Sequence, residues 1–342
     1  MSMSTSKRKE IIDALIIEIQ NNNQSPVATI ADRFEVSRQT VNRYLKKLLE
    51  QGLIKMSGGQ TRKQYSMNNN TKSWFFPIEG LEEDVIWFDY VKPLLPQTLS
   101  RNILEACSYG FTEMLNNAID HSESEHVAVI LKQEESNIVF GIHDDGIGIF
   151  DKVQRSLNLS DPRHAILELT KGKFTTDPSR HSGEGIFFTS RIFDDFSIVS
   201  GNLIFMSGRK RNWDILFDDE EKVDGTWITM KIATNSDVVV KEIQDRFSTD
   251  DSFGFSKTQI PVKLMQHEGQ MLVSRSQAKR LIARFDRFSE VILDFDGVEE
   301  VGQAFADELF RVFVMAHPDV HVSTRNVNEN VYQMIRRAQN QK

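Results

Sequence analysis

Three short segments carry residues whose types and spacing could do chemistry. In Glu113-Met114-Leu115-Asn116-Asn117-Ala118-Ile119-Asp120-His121, a glutamate and an asparagine stand four apart, so on a helix both project from one face, about one turn from each other. A carboxylate there can take a proton from water, and an amide oxygen one turn along can ligate a divalent cation. In Asp144-Asp145-Gly146-Ile147-Gly148-Ile149, a carboxylate ends an apolar run, where it can accept a hydrogen bond from an adenine amino group, and the glycines let backbone come close to a base. Ser182-Gly183-Glu184-Gly185-Ile186 opens a helical pattern whose first amides would face phosphate oxygens. Taken singly, each segment has an ordinary reading: a Glu-x-x-x-Asn pair is a solvated helix face, and an Asp-Gly pair is a turn between elements.

In this order the segments resemble the N box and the two glycine boxes of the ATP-binding domain shared by gyrase B subunits, heat-shock chaperones of the ninety-kilodalton class, histidine kinases and mismatch-repair ATPases. The resemblance implies ATP with Mg2+. It makes Glu113 a general base and Asn117 the Mg2+ ligand, with Asn116 and His121 as lesser contributors. It sets Asp144 on adenine with Gly146 and Gly148 beside it, and Ser182, Gly183 and Gly185 at the phosphates. Gly225-Thr226 resembles the family's Gly-Thr, which brings a hydroxyl near adenine. Glu184 stands where the family often has a longer glycine run, a departure at the phosphate end. Residues 150 to 181 fall where a lid over the nucleotide is expected. There Lys171-Gly172-Lys173-Phe174-Thr175-Thr176 and Arg180 suit a triphosphate, Lys173 above all, although surface solvation accounts for the lysines equally well.

The elements that must position these residues are legible in the apolar spacing. Ile103, Leu104, Cys107, Phe111, Leu115 and Ile119 mark a helix from about Arg101 to Asp120. Val127 to Gln133 and Asn137 to His143 read as neighbouring strands, the second delivering Asp144 at its end. A helix from Ile186 to Phe193 follows, then strand-like segments at Phe196 to Gly201, Leu203 to Ser207, Trp213 to Phe217 and Thr226 to Ile232. The expected architecture over residues 82–234 is a Bergerat-type α/β sandwich, a mixed sheet over helices. It is unlike a P-loop protein, and no Gly-x-x-x-x-Gly-Lys-Ser/Thr occurs.

Residues 7–67 resemble a winged helix-turn-helix domain. Ile11, Ile12, Leu15, Ile16 and Ile19 give a first helix, Val27 to Phe34 a second, and Ser37 caps a third over Arg38 to Gln51 with Val41, Leu45, Leu48 and Leu49 inward. Leu53 to Met56, a Gly58-Gly59 turn and Arg62 to Tyr65 read as a two-stranded wing. Arg38, Gln39, Thr40, Asn42 and Arg43 would reach base edges in the major groove. Lys46, Lys47, Arg62 and Lys63 would meet phosphates. Protein contact alone, or a solvated basic face, is the competing reading. Residues 68–81 read as a linker ending in an apolar anchor, Trp74-Phe75-Phe76.

After a connector at 235–257 that contains a helix, residues 258–340 give a βαβα pattern resembling a STAS-like fold, the class of the anti-sigma-factor antagonists. Its elements are Thr258 to Gln266, a short strand at Met271 to Val273, a helix from Ser274 to Phe285, the strand Val291-Ile292-Leu293-Asp294-Phe295, a helix from about Gly302 to Ala316, Val320-His321-Val322, and a helix from Asn328 to Ala338. Antagonists carry a phosphorylatable Ser or Thr between the Asp-Phe strand and the next helix. Here Asp296-Gly297-Val298-Glu299-Glu300-Val301-Gly302-Gln303-Ala304 has no hydroxyl, which favours a regulatory or docking module. A small α/β domain serving dimerisation alone fits the same pattern.

The chain of 342 residues is therefore expected to be multidomain α/β. Its net charge of -8 is uneven: residues 1–75 hold 12 Lys+Arg against 6 Asp+Glu, and the remainder 29 against 43. A basic head on an acidic body suits a polyanion-binding module joined to something else. Cys107 is the one cysteine, inside an apolar pattern, so an intrachain disulfide and a cysteine-built zinc site are excluded. No signal-peptide core and no run of 18 apolar residues occurs, pointing to a cytosolic protein that engages no membrane. The first histidine is His121, inside the N box, which excludes a histidine kinase carrying its own upstream phosphoacceptor. The expected function is an ATP-Mg-binding, DNA-binding transcription regulator, a homodimer with a protein partner for the STAS-like domain, in which slow hydrolysis acts as a timer. The alternatives are an anti-sigma-type protein-serine kinase and a dimerising mechanical ATPase acting on DNA.

Overall fold

The computed structural model describes residues 5–21, 23–50, 54–58, 63–67, 70–175, 182–211, 214–249, 252–266 and 271–340. The chain divides into two compact units, Met1–Trp74 with Ile130–Glu135, and Phe75–Val129 with Ser136–Lys342.

The first unit is built from three helices and a hairpin: α1 (Thr5–Gln20), α2 (Pro26–Phe34), α3 (Arg38–Glu50), β1 (Ile54–Ser57) and β2 (Gln64–Met67). Pro26 begins α2, where its missing N–H costs no helical bond. Glu35 ends α2 in a left-handed conformation, φ 52°, and Ser37 Oγ then accepts from the Thr40 N–H at 3.1 Å to start α3. Ile11, Leu15, Ile19, Ile30, Val41, Tyr44, Leu45, Leu48 and Ile54 form its core. Tyr44 joins the inner face expected for α3, and Leu49 is only half-buried. β1 and β2 pair antiparallel from Ile54↔Met67 to Ser57↔Gln64.

The stretch expected as a linker contains a strand, β3 (Thr71–Pro77). Phe75 does not anchor a core; it stays 48% exposed and stacks on the His126 ring with centroids 4.9 Å apart. The chain continues through α4 (Glu83–Ile86), which runs on as a π-helix over Trp87–Val91, and the long α5 (Arg101–His121). Next come β4 (His126–Gln133), β5 (Asn137–Asp144), α6 (Ile149–Ser156), α7 (Arg163–Lys171), α8 (Gly185–Ile192), β6 (Asp195–Ser207) and β7 (Ile215–Ala233). The sheet has the order β3-β4-β5-β7-β6. Alternation along β5 and β7 sends Ile138, Phe140, Ile142, Ile228, Met230 and Ile232 inward, and Ile103, Cys107, Phe111 and Leu115 of α5 are buried with them. The Phe111 and Phe140 rings meet at 5.9 Å, Trp87 and Phe111 at 5.6 Å.

Where the sequence suggested four strands after α8, there are two long ones. Residues 202 and 218–225 stay within β6 and β7, whose ladder absorbs the extra backbone in irregularities beside Gly201.

The carboxy-terminal part holds α9 (Val240–Asp245), a small hairpin of β8 (Ser248–Thr249) and β9 (Ser252–Phe255), and β10 (Lys257–Pro261). It goes on with α10 (Arg275–Ile282), β11 (Glu290–Asp294), α11 (Gln303–Asp307), α12 (Val314–Ala316), β12 (His321–Arg325) and α13 (Glu329–Asn340), with a π-helical Glu308–Phe313 joining α11 to α12. β10, β11 and β12 are parallel and adjacent in that order. A capping box of Ser274 and Gln277 begins α10. The strand expected at Met271 to Val273 is reduced to a single bridge, Leu272↔Val301. No described helix is long and apolar enough to cross a membrane.

Candidate functional site

The buried stripe of α5 is Ile103, Ala106, Cys107, Gly110, Phe111, Met114, Leu115 and Ala118, which turns Glu113, Asn116 and Asn117 to the edge of the packed face. Ser100 fixes the start of this helix by accepting from the Ile103 N–H at 3.3 Å. Glu113, Asn116, Asn117, His121, Asp144, Gly148, Ser182, Gly183, Gly185 and Thr226 line one cavity, together with Ile149, Lys152, Phe174 and Thr175. Residues from five elements and two loops thus converge, though they are spread over more than a hundred positions in sequence.

At one end of the cavity Asp144 closes β5 and is 5% exposed. Its Oδ1 accepts from the Gly146 N–H at 3.0 Å and from the Thr226 N–H at 3.2 Å. Burial pushes the carboxyl up to about 6, against the pull of those bonds. Thr226 sits directly opposite on β7, and its hydroxyl accepts from the Ile149 N–H at 3.0 Å. Gly146 therefore acts from behind Asp144, through its amide, while Gly148 caps α6 and borders the cavity.

At the other end Gly183 has φ +74°, and a Cβ there would stand 2.5 Å from the Phe174 backbone, so only glycine fits without moving that wall. A Cβ on Gly185 would stand 2.3 Å from Glu113 Oε2, which puts the Glu113 carboxylate against the first residue of α8. The Asn117 side-chain nitrogen points to Met114 Sδ at 4.0 Å. Burial raises the Glu184 carboxyl, with the Lys173 charge and the Ser182 hydroxyl pulling it back. Tyr109, one turn before Glu113, is held well above its ordinary value by burial and then by the Glu113 and Glu184 charges.

Lys173 is a correction. Its Nζ donates to the Arg287 carbonyl at 2.8 Å and lies over the Phe288 ring at 4.9 Å, outside the cavity. The Arg287 carbonyl and the Phe255 and Phe288 rings take up its ammonium instead. Lys171, read as lid charge, is wholly buried at the end of α7. Thr176 and Arg180 lie outside the described residues. The lysine at the cavity is Lys152, four residues into α6, with Nζ donating to the His121 carbonyl at 2.6 Å and 3.3 Å from Glu123 Oε1. Its signal in sequence was spacing alone, one turn after Gly148.

In the first unit, Arg38, Gln39, Asn42, Arg43 and Lys46 are exposed on α3, and Lys63 is exposed before β2. Thr40 is half-buried, with its hydroxyl 2.9 Å from Ser37 Oγ at the cap. Arg62 lies outside the described residues.

Comparison with known proteins finds three matching stretches along the chain. Residues 94–207 match the family described as a histidine kinase-like ATPase domain. Residues 10–55 match winged helix-turn-helix DNA-binding, and residues 277–332 match a STAS-like domain of unknown function. The three domains stand in the order expected from the sequence, and a winged helix-turn-helix is combined with an ATPase-like domain in one chain. No curated protein matches. A solved structure titled as an IcIR transcriptional regulator from Alicyclobacillus acidocaldarius aligns at 14% identity over 71% of this chain and 92% of that one, with a TM-score of 0.16, too low to carry an argument.

Proposed function

We propose that this chain is a DNA-binding regulator whose central domain binds ATP with Mg2+, and whose nucleotide state controls how DNA or a protein partner is engaged. The observation that carries the reading is the convergence of Glu113, Asn117, Asp144, Gly183, Gly185 and Thr226 on one cavity, in a chain that also matches a DNA-binding domain.

The residues present suit that ligand. Asp144 is a buried acceptor already oriented by two backbone N–H groups, as an adenine amino donor requires. The amides that open α8 favour anionic oxygens. Among the described residues no group of three or more His, Cys, Asp or Glu could hold a metal. A cation held by the Asn117 amide oxygen would therefore take its other ligands from phosphates and water, the usual arrangement for Mg2+. Bound Mg2+ would supply charge neutralisation at the phosphates. Glu113 is the group that would accept a proton from water on its carboxylate, making slow hydrolysis the expected activity. Gln39, Asn42, Arg38 and Arg43 would read base edges, with Lys46 and Lys63 on phosphates. In this reading the protein is a cytosolic homodimer acting in transcription, with winged helices on two half-sites.

The adjacency of histidine kinase-like ATPase and STAS-like matches in one chain favours a second reading, a protein-serine kinase acting in trans. Phosphate appearing on protein from labelled ATP, and lost in Glu113→Ala, would select it.

The test is calorimetry with ATP and ADP in Mg2+, paired with DNA binding at fixed salt, on wild type, Asp144→Asn and Asn117→Ala. The reading requires nucleotide binding that both substitutions weaken and DNA affinity that changes with nucleotide. DNA binding that ignores nucleotide in wild type would overturn the control.

A further inference from the structure

Residues 150–181 are expected from the sequence to form a lid, with Lys171 and Lys173 either on the triphosphate or solvated. Instead, the last turn of α7 is among the most buried polar clusters of the molecule: Glu168 is 3% exposed and Lys171 0%. What buries it is the STAS-like segment more than a hundred residues downstream. Lys171 Nζ donates to Glu168 Oε1 at 2.5 Å, to the Ala283 carbonyl at 2.9 Å and to the Arg280 carbonyl at 3.2 Å.

Arg284 completes the arrangement from the other side. Its Nη1 donates to Glu168 Oε2 at 2.8 Å, and its Nη2 donates to the Lys173 carbonyl at 2.5 Å and the Gly172 carbonyl at 3.3 Å. The guanidinium also lies over the Phe174 ring at 5.4 Å. One planar fork therefore holds the end of α7 and the next three residues at once, geometry an ammonium cannot reproduce. Arg284 does so from a left-handed backbone, φ 67°, a conformation that is strained for a non-glycine residue and persists only where surrounding contacts enforce it. Phe174 is the next link: it lines the cavity, and its backbone forms the wall against which Gly183 packs.

We propose that Arg284, a residue of the STAS-like domain, is a positioning residue for the phosphate end of the nucleotide site. It fixes the carbonyls of Gly172 and Lys173, and through them the Phe174–Gly183 wall. The inference rests on the nucleotide reading above. Its consequence is reciprocal: a partner that displaces residues 280–287 lowers nucleotide affinity, and bound nucleotide resists that displacement by the same factor.

The experiment measures affinities for ATP-Mg and for adenosine on the full chain, in wild type, Arg284→Met, Arg284→Lys and Arg311→Ala. Arg284→Met keeps the Glu168–Lys171 pair, so no charge is stranded. Arg311→Ala is the control, because Arg311 pairs with Asp307 inside the STAS-like domain. Expected is a loss of about tenfold in ATP affinity for Arg284→Met, an intermediate loss for Arg284→Lys, and no change for Arg311→Ala. Adenosine should bind all four alike, because the wall that moves is at the phosphate end; a general loss of structure would weaken both ligands. Hydrogen exchange on the wild type gives a second readout, with ATP expected to protect residues 280–287 as well as 172–175. Equal ATP affinity in wild type and Arg284→Met, or parallel losses of ATP and adenosine, overturns the proposal and leaves the nucleotide reading standing. Wild type that binds neither ligand overturns both.

Discussion

Asp144 and Thr226 face each other across the β5–β7 ladder, and the Thr226 N–H donates to Asp144 Oδ1 at 3.2 Å while the Thr226 hydroxyl takes the Ile149 N–H at 3.0 Å. The bond ties the acceptor carboxylate to the sheet, and the hydroxyl ties the sheet to the start of α6. An adenine amino group arriving at Asp144 would meet a carboxylate whose orientation is already fixed, so little ordering entropy would be lost on binding.

On the nucleotide reading, that carboxylate should make ATP affinity depend on pH. Its pKa rises from 3.8 to about 6 on folding, through burial. The folded protein thus holds the proton more tightly than the unfolded chain does, and stability falls as pH rises from about 4 to 6. The ionised form is the better acceptor for adenine, so ATP affinity of the wild type should fall as pH drops below about 6. Asp144→Asn should bind ATP about tenfold more weakly at pH 7.5, as expected when a charged acceptor becomes neutral, and its affinity should vary less across pH 5 to 7.5 than that of the wild type. Calorimetry at four pH values checks both, and a wild-type affinity flat across that range would count against Asp144 as the adenine acceptor.

Glu113 carries the second prediction. Its carboxylate lies against the first residue of α8, which lines the same cavity. Glu113→Gln keeps shape and loses the proton acceptor, so phosphate release should fall by about 10²–10⁴-fold with ATP affinity nearly unchanged. Gly185→Ala would drive a methyl into the space of Glu113 Oε2 and should lower both turnover and binding. Single-turnover phosphate release beside equilibrium binding separates the two effects.

The helix-turn-helix yields a third. Arg43 is exposed on α3, which is held at its start by the Ser37 cap. If it reads a base edge, Arg43→Ala costs about 1–3 kcal/mol on the preferred site and relaxes selection at one position. Lys46→Ala should weaken all sequences alike and reduce the slope of affinity against salt by about 1. Titrations at several salt concentrations on specific and scrambled duplexes distinguish them. Identical behaviour of the two variants would place Arg43 on phosphates.

What the sequence revealed and what it hid divide along the range of the interactions. That Glu113, Asn117 and Asp144 line one cavity was legible because the resemblance to the N box and glycine boxes joined three local motifs, and the Ser37 cap because capping is a three-residue relation. The burial of Lys171 and the docking of Lys173 were not, since their partners Ala283, Arg284 and Arg287 lie more than a hundred residues away and nothing local distinguishes such a lysine from a solvated one. The unbroken course of β7 through Asp218 and Asp224 was hidden for a related reason. An acidic run reads as a turn until the ladder to β6 is known, from Met206↔Ile215 to Asp195↔Lys231.

Lys171 supplies a final prediction, about folding stability. Burial pushes its ammonium from 10.5 down to about 8, with Glu168 pulling the other way and Arg284 adding to the fall. Between about 8 and 10.5 the unfolded chain holds the proton and the folded chain releases it, so this residue makes stability rise with pH across that window. In Lys171→Met the rise disappears, while Glu168 keeps Arg284 at 2.8 Å and the buried carboxylate is not left alone. Glu168→Gln is the harsher change, because it strands two cations in the same buried space, and should cost about 3–5 kcal/mol. Urea midpoints from pH 7 to 10 provide the check. A wild-type minus Lys171→Met difference that stays constant over that range would show that Lys171 does not change its charge on unfolding there, and would assign its role to the charged pair with Glu168 and the carbonyls of Arg280 and Ala283.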